Sequence, residues 1–124
     1  MDDAMIAPLG RVLLYVKDPA EIAAFYNRHF GFEIIETEGD RIIELRPKEA
    51  GATLLLHRSS KSQKPGQSLV KLVFDVEDVP GVAERCKQAG LVFGSIHQVE
   101  GYAFANAKDP AGNSIQISSR AFRE

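Results

Sequence analysis

The stretch Arg11-Val12-Leu13-Leu14-Tyr15-Val16-Lys17-Asp18-Pro19 decides the fold, because its plan occurs twice. About sixty residues on, Lys71-Leu72-Val73-Phe74-Asp75-Val76-Glu77-Asp78-Val79-Pro80 repeats it. A run rich in β-branched and aromatic residues predicts a strand. The Asp that closes each run is a good helix N-cap, and a proline in the first turn loses no hydrogen bond there. Each strand therefore feeds a helix. Ile22, Phe25, Tyr26 and Phe30 recur at helical spacing up to Gly31, and Val79, Val82, Ala83 and Cys86 do so up to Gly90. Three strand segments follow each helix, at 32–37, 41–46 and 52–57 and again at 92–98, 102–107 and 114–118. Asp109-Pro110-Ala111-Gly112 has type I turn chemistry, with Asp first, Pro second and Gly fourth.

Asp18 aligns with Asp78, Gly31 with Gly90 and Gly51 with Gly112, and one order of elements at one offset is the mark of duplication. The fold class is α+β. Two tandem βαβββ modules, 9–58 and 69–119, make one domain of curved mixed sheets around a cleft, joined by the apolar-free linker 58–68. Strand side chains alternate, so Val12, Leu14 and Val16 oppose Arg11, Leu13 and Tyr15, and Leu72, Phe74 and Val76 oppose Lys71, Val73 and Asp75. The apolar sets belong under the helices. The mixed sets belong on the open face, and a mixed lining is the composition of a ligand cavity.

The bulk numbers bound the function. Hydrophobic residues are 44% and charged residues 26% of 124, near globular averages. No apolar run approaches the ~20 residues of a membrane span. The first ten residues have no apolar h-region, so a cytoplasmic location is expected. Net charge is −2 with cations scattered, which argues against nucleic acid. The single cysteine, Cys86, sits on an apolar helix face and reads as core.

Four segments resemble the vicinal oxygen chelate superfamily of glyoxalases, bleomycin resistance proteins and extradiol dioxygenases. They are Val16-Lys17-Asp18-Pro19 with Phe25-Tyr26, then Phe30-Gly31-Phe32-Glu33, then Phe74-Asp75-Val76-Glu77-Asp78-Val79, and last Lys108-Asp109-Pro110-Ala111-Gly112-Asn113-Ser114-Ile115-Gln116. The resemblance implies a metal held by the first and fourth strands of each module. Carried over one by one, its positions are Arg11, Leu55, Lys71 and Gln116, with His57 two residues beyond Leu55. Divalent ions take carboxylate or neutral imidazole donors, and Arg and Lys are cations, so no metal or other cofactor is expected.

The expected role is instead to bind a small organic molecule, anionic or aromatic. The candidate contacts are Arg11, Tyr15, Leu55, His57, Lys71, Tyr102, Phe104 and Gln116. Arg11 and Lys71 would meet either an anionic ligand or internal acids such as Asp75 or Glu44. The alternative is a glyoxalase-like lyase or isomerase, or a dioxygenase relative, with a relocated metal or with metal-free chemistry on His57 or Glu44. His29, at a helix end, reads as a cation favoured by the dipole. The resemblance also implies a homodimer.

Overall fold

Asp18 and Asp78 cap the two helices of the computed structural model, which describes residues 6–7, 9–64 and 66–123. The Asp18 side chain accepts from the Glu21 N–H (3.3 Å), and Asp78 accepts from the Gly81 N–H (3.0 Å). The first module runs β1 (Arg11–Val16), α1 (Pro19–Phe30), β2 (Glu33–Ile35), β3 (Ile43–Arg46) and β4 (Thr53–Arg58). The second runs β5 (Lys71–Asp75), α2 (Val79–Gln88), β6 (His97–Val99), β7 (Tyr102–Lys108) and β8 (Ser114–Ser118), and closes on a 3-10 turn at Arg120–Phe122. The sheets have the same order, β1-β4-β3-β2 and β5-β8-β7-β6. In each the first strand lies parallel to the fourth. Leu13 opposes Leu55 and Val73 opposes Gln116, so the internal equivalence holds at the level of register.

Three of the expected strands are shorter than the sequence pattern suggests, among them 41–46, which contributes only Ile43–Arg46. Segment 32–37 contributes only Glu33–Ile35, and 92–98 contributes only His97–Val99. Leu91 and Phe93 are buried all the same, and Gly94 donates one backbone bond to the Asn106 carbonyl (2.9 Å). Burial of two side chains fixes this segment against the core without a ladder. Period-two apolarity alone does not distinguish the two outcomes.

One core serves both modules. Leu54 and Leu56 of β4 and Ile115 and Ile117 of β8 point into it, while Leu55, His57 and Gln116 point out, as alternation requires. α1 reaches across. Its Phe30 ring stacks on Phe74 of β5 at 3.9 Å between centroids and 8° between planes. Its Tyr26 hydroxyl donates to Asp109 Oδ2 at 2.7 Å, in the β7–β8 turn. Asp109 Oδ1 accepts from the Ala111 and Asn113 N–H groups, and Oδ2 also accepts from Asn113 Nδ2. One buried carboxylate thus shapes its own turn and ties that turn to the other module's helix. Burial, then the Asp109 charge and hydrogen bond, pushes the Tyr26 phenol far above its ordinary range, so it stays the donor.

His29 departs from expectation. It is buried, 4% exposed, and its Nδ1 has no hydrogen-bond partner among the described residues. Burial first, then Arg28 and Arg85, pushes its pKa down, so the ring is a neutral packing group beside Phe25 and not a terminal cation. Arg85 Nη2 donates to the His29 carbonyl instead (3.3 Å), the second polar link between modules. Cys86 is fully buried, and burial raises its thiol pKa against a smaller lowering by Arg85, as suits an inert core residue.

Candidate functional site

Because the apolar faces of the two sheets share one core, their mixed faces look away from it. β1, β4 and β3 present Arg11, Leu13, Tyr15, Leu55, His57 and Glu44 on one of them. β5, β8 and β7 present Lys71, Val73, Asp75, Gln116, Asn106 and Phe104 on the other. The sequence-derived set is therefore divided between two surfaces. Arg11 and Lys71 do not floor a common cleft within the chain.

The second face holds a concavity of about 440 Å³. Val73, Asp75, Gln116 and Ser118 make its floor, Tyr102 and Phe104 its aromatic wall, and Arg120, Ala121 and Arg123 its rim. Gln116 joins it to a polar cluster on the same sheet face, centred on Asn106. The Asn106 side-chain oxygen accepts from Lys71 Nζ (3.0 Å) and from Gln116 Nε2 (2.9 Å). Lys71 is thus held by an amide and not by Asp75. The aromatic wall continues outward, since His97 stacks on Phe104 at 5.0 Å and Tyr102 lies 6.2 Å from Phe104.

The first face is arranged differently. Glu44 pairs with Arg46, so it neutralises neither Arg11 nor Lys71. His57 Nδ1 lies 2.8 Å from the Arg58 carbonyl, and its ring is 5.5 Å from Tyr15. That contact orients the imidazole with Nδ1 as the donor, since a carbonyl only accepts. A second hollow of about 360 Å³ follows β1 where the linker passes, between Leu13, Tyr15, Gln63, Gln67 and Asn113. There Gly66 and Gly112 lie so close that a Cβ on Gly112 would stand 3.2 Å from the Gly66 Cα.

The metal positions of the resembling family were tested against these surroundings. Arg11 and Lys71 are cations, Leu55 has no donor atom, and the Gln116 amide is engaged with Asn106. Among the described residues no three His, Cys, Asp or Glu side chains come near enough to share an ion. The residues at these positions do not fit a divalent metal.

Several contributors were not singled out from sequence. Asn106 falls on the Tyr102–Phe104 face by period two, so alternation could have found it. Ser118 does so by pairing with Asp75 and Phe104. Arg120 and Arg123 lie beyond the last strand, where no periodicity applies. Among the described residues no helix is long and apolar enough to cross a membrane.

Comparison with known proteins gives a consistent picture. The family model described as Glyoxalase/Bleomycin resistance protein/Dioxygenase superfamily matches residues 9–117. An uncharacterized protein, YetH of Bacillus subtilis (strain 168), is 31% identical over 114 residues, covering 88% of this chain and 95% of that one. Among solved structures, TnmS3, an antibiotic binding protein from Streptomyces sp. CB03234, superposes with a TM-score of 0.77 at 22% identity, over 92% of this chain and 96% of its own. A lactoylglutathione lyase from Agrobacterium tumefaciens superposes with a TM-score of 0.68 at 21% identity, over 91% and 93%. At these identities the two structures establish a shared fold, and their names describe a binder and an enzyme on one scaffold.

Proposed function

From membership of the Glyoxalase/Bleomycin resistance protein/Dioxygenase superfamily, to which this chain belongs, we propose that it binds a small organic molecule, anionic or aromatic, without the usual metal. The observation that carries this is the concavity on the second module. Its volume lies within the range of small-molecule pockets, and it joins an aromatic wall to a few oriented polar groups. Tyr102 and Phe104 offer ring surface. Gln116 is fixed in the floor by Asn106, which also holds Lys71 on the same face. The floor supplies donors and acceptors and no nucleophile paired to a base, which favours binding over turnover.

The partner in this reading is a second copy of the chain. Leu13 is 37% exposed, Tyr15 50% and Val73 51%, so each mixed face leaves apolar side chains in water. Apposing such faces between two copies would cover them and turn a shallow concavity into a cleft. Sedimentation of the full chain should give a dimer.

Calorimetric titration with planar aromatic acids and neutral aromatics, run beside metal analysis of protein purified without chelator, tests the proposal. Binding with substoichiometric metal is the expected result. Stoichiometric metal that is lost in His57→Ala would instead support a glyoxalase-like lyase or isomerase with a relocated site.

A further inference from the structure

The two mixed faces are related by duplication, yet their charges differ. The first carries Arg11 and Arg46 against Glu33 and Glu44. The second carries Lys71, Lys108, Arg120 and Arg123 against Asp75, with Glu100 in the turn before β7. A chain of net charge −2 therefore concentrates cations on one surface, and two of them come from the segment after β8.

That segment is fixed in place. The Arg120 N–H donates to Ser118 Oγ (3.1 Å), the Phe122 N–H to the Ser119 carbonyl (2.9 Å), and the Arg123 N–H to the Arg120 carbonyl (3.3 Å). Ser119 Oγ in turn accepts from the Ala103 N–H (3.0 Å), which binds the turn to β7. Both guanidinium groups converge on one ring. Arg120 Cζ lies 5.3 Å and Arg123 Cζ 5.9 Å from the Tyr102 centroid, and Arg120 Nη1 donates to the Tyr102 hydroxyl (3.1 Å). Among the described residues no carboxylate lies within 4.0 Å of either guanidinium, Asp75 included, although Asp75 lines the same concavity. Two like charges over one aromatic ring leave a positive potential where an anion would be favoured.

Resting on the ligand-binding role above, we propose that Arg120 and Arg123 are the anion-recognising end of this concavity and that its ligand is a planar aryl acid. The ring lies along Tyr102 and Phe104, and the acid group takes charge-assisted hydrogen bonds from the guanidiniums. A simple inorganic anion would leave the aromatic wall and most of the 440 Å³ unused. A neutral ring would leave the two guanidiniums facing no anion among the described residues.

The test uses an isosteric pair, naphthalene-2-carboxylate and naphthalene-2-carboxamide, titrated calorimetrically into the full chain. The acid should bind at least about tenfold more tightly, as a charge-assisted contact implies. In Arg120→Gln/Arg123→Gln the ratio should fall to near unity through loss of acid affinity alone, with the circular dichroism spectrum unchanged. Tyr102→Leu should weaken both probes together. Equal binding of acid and amide by the unaltered chain overturns the anion end and leaves the pocket standing. Selectivity that survives in the double variant overturns the assignment to these two arginines. Absence of binding by both probes at millimolar concentration overturns the pocket and the inference alike.

Discussion

Tyr26→Phe removes one oxygen atom and should cost about 1.5–3 kcal/mol, the range of a hydrogen bond to a charged group. The structure makes this an unusually clean deletion. The Tyr26 ring is fully buried and its hydroxyl donates to Asp109 Oδ2 at 2.7 Å, so phenylalanine keeps the packing and opens almost no cavity. Asp109 is itself 4% exposed, so water replaces the lost donor poorly. Oδ2 is left with Asn113 Nδ2 alone, while Oδ1 keeps its two backbone donors. For a chain of this size the loss corresponds to a melting temperature lower by roughly 5–15 °C. Urea unfolding followed by circular dichroism would measure it, with the m-value unchanged if only the native state is affected. Asp109→Ala should cost more than Tyr26→Phe, because the turn donors of Ala111 and Asn113 lose their acceptor as well. A Tyr26→Phe loss below about 0.5 kcal/mol would refute the argument, as would an Asp109→Ala loss no larger than that of Tyr26→Phe.

Gly112 has φ +86° and faces the Gly66 backbone, so Gly112→Ala combines an unfavourable conformation with a close contact and should destabilise by more than about 1 kcal/mol in the same assay. His29 has a folded pKa below its unfolded value, so the unfolded state binds the extra proton. Its contribution is whole above the ordinary histidine pKa of about 6.5 and is lost as pH falls toward the lowered folded value. His29→Phe should flatten the fall in melting temperature over that acidic window, and an unchanged slope would count against the assignment. Asn106→Leu removes the acceptor shared by Lys71 and Gln116 and should weaken aryl-acid binding severalfold while the fold is retained, read by the same titration.

What the sequence made legible is what short-range chemistry decides. Asp18 and Asp78 announce helix starts because a cap involves residues three apart, and Asp109-Pro110-Ala111-Gly112 announces its turn for the same reason. The turn even closes as written, with the Gly112 N–H on the Asp109 carbonyl at 2.9 Å. The same Asp109 also shows where legibility stops. Its second role depends on Tyr26, 83 residues away, and nothing local to either residue encodes the meeting. His29 fails in the same manner, since its burial, which helix-end position does not encode, decides its charge state.

The site divides along the same line. Period two placed Gln116, Tyr102 and Phe104 on one face, and the structure puts all three around one concavity. The same rule placed Arg11, Leu55 and His57 on the equivalent face of the other sheet, but alternation says only which side of its own sheet a residue occupies. Whether two such sides converge depends on how the modules pack, and here the Phe30–Phe74 stack and the shared core turn them apart. Duplication then makes the two faces comparable position by position. Arg11 and Lys71 are both cations at the head of their strands, yet among the described residues only Lys71 has an amide to hold it. The chemistry that distinguishes the halves lies in Asn106, opposite which the first module has Glu44, and in a C-terminal turn for which the first module has no counterpart before its linker. On the proposed reading, binding character arises where the repeat is broken, and a symmetric alignment of the halves passes over those positions.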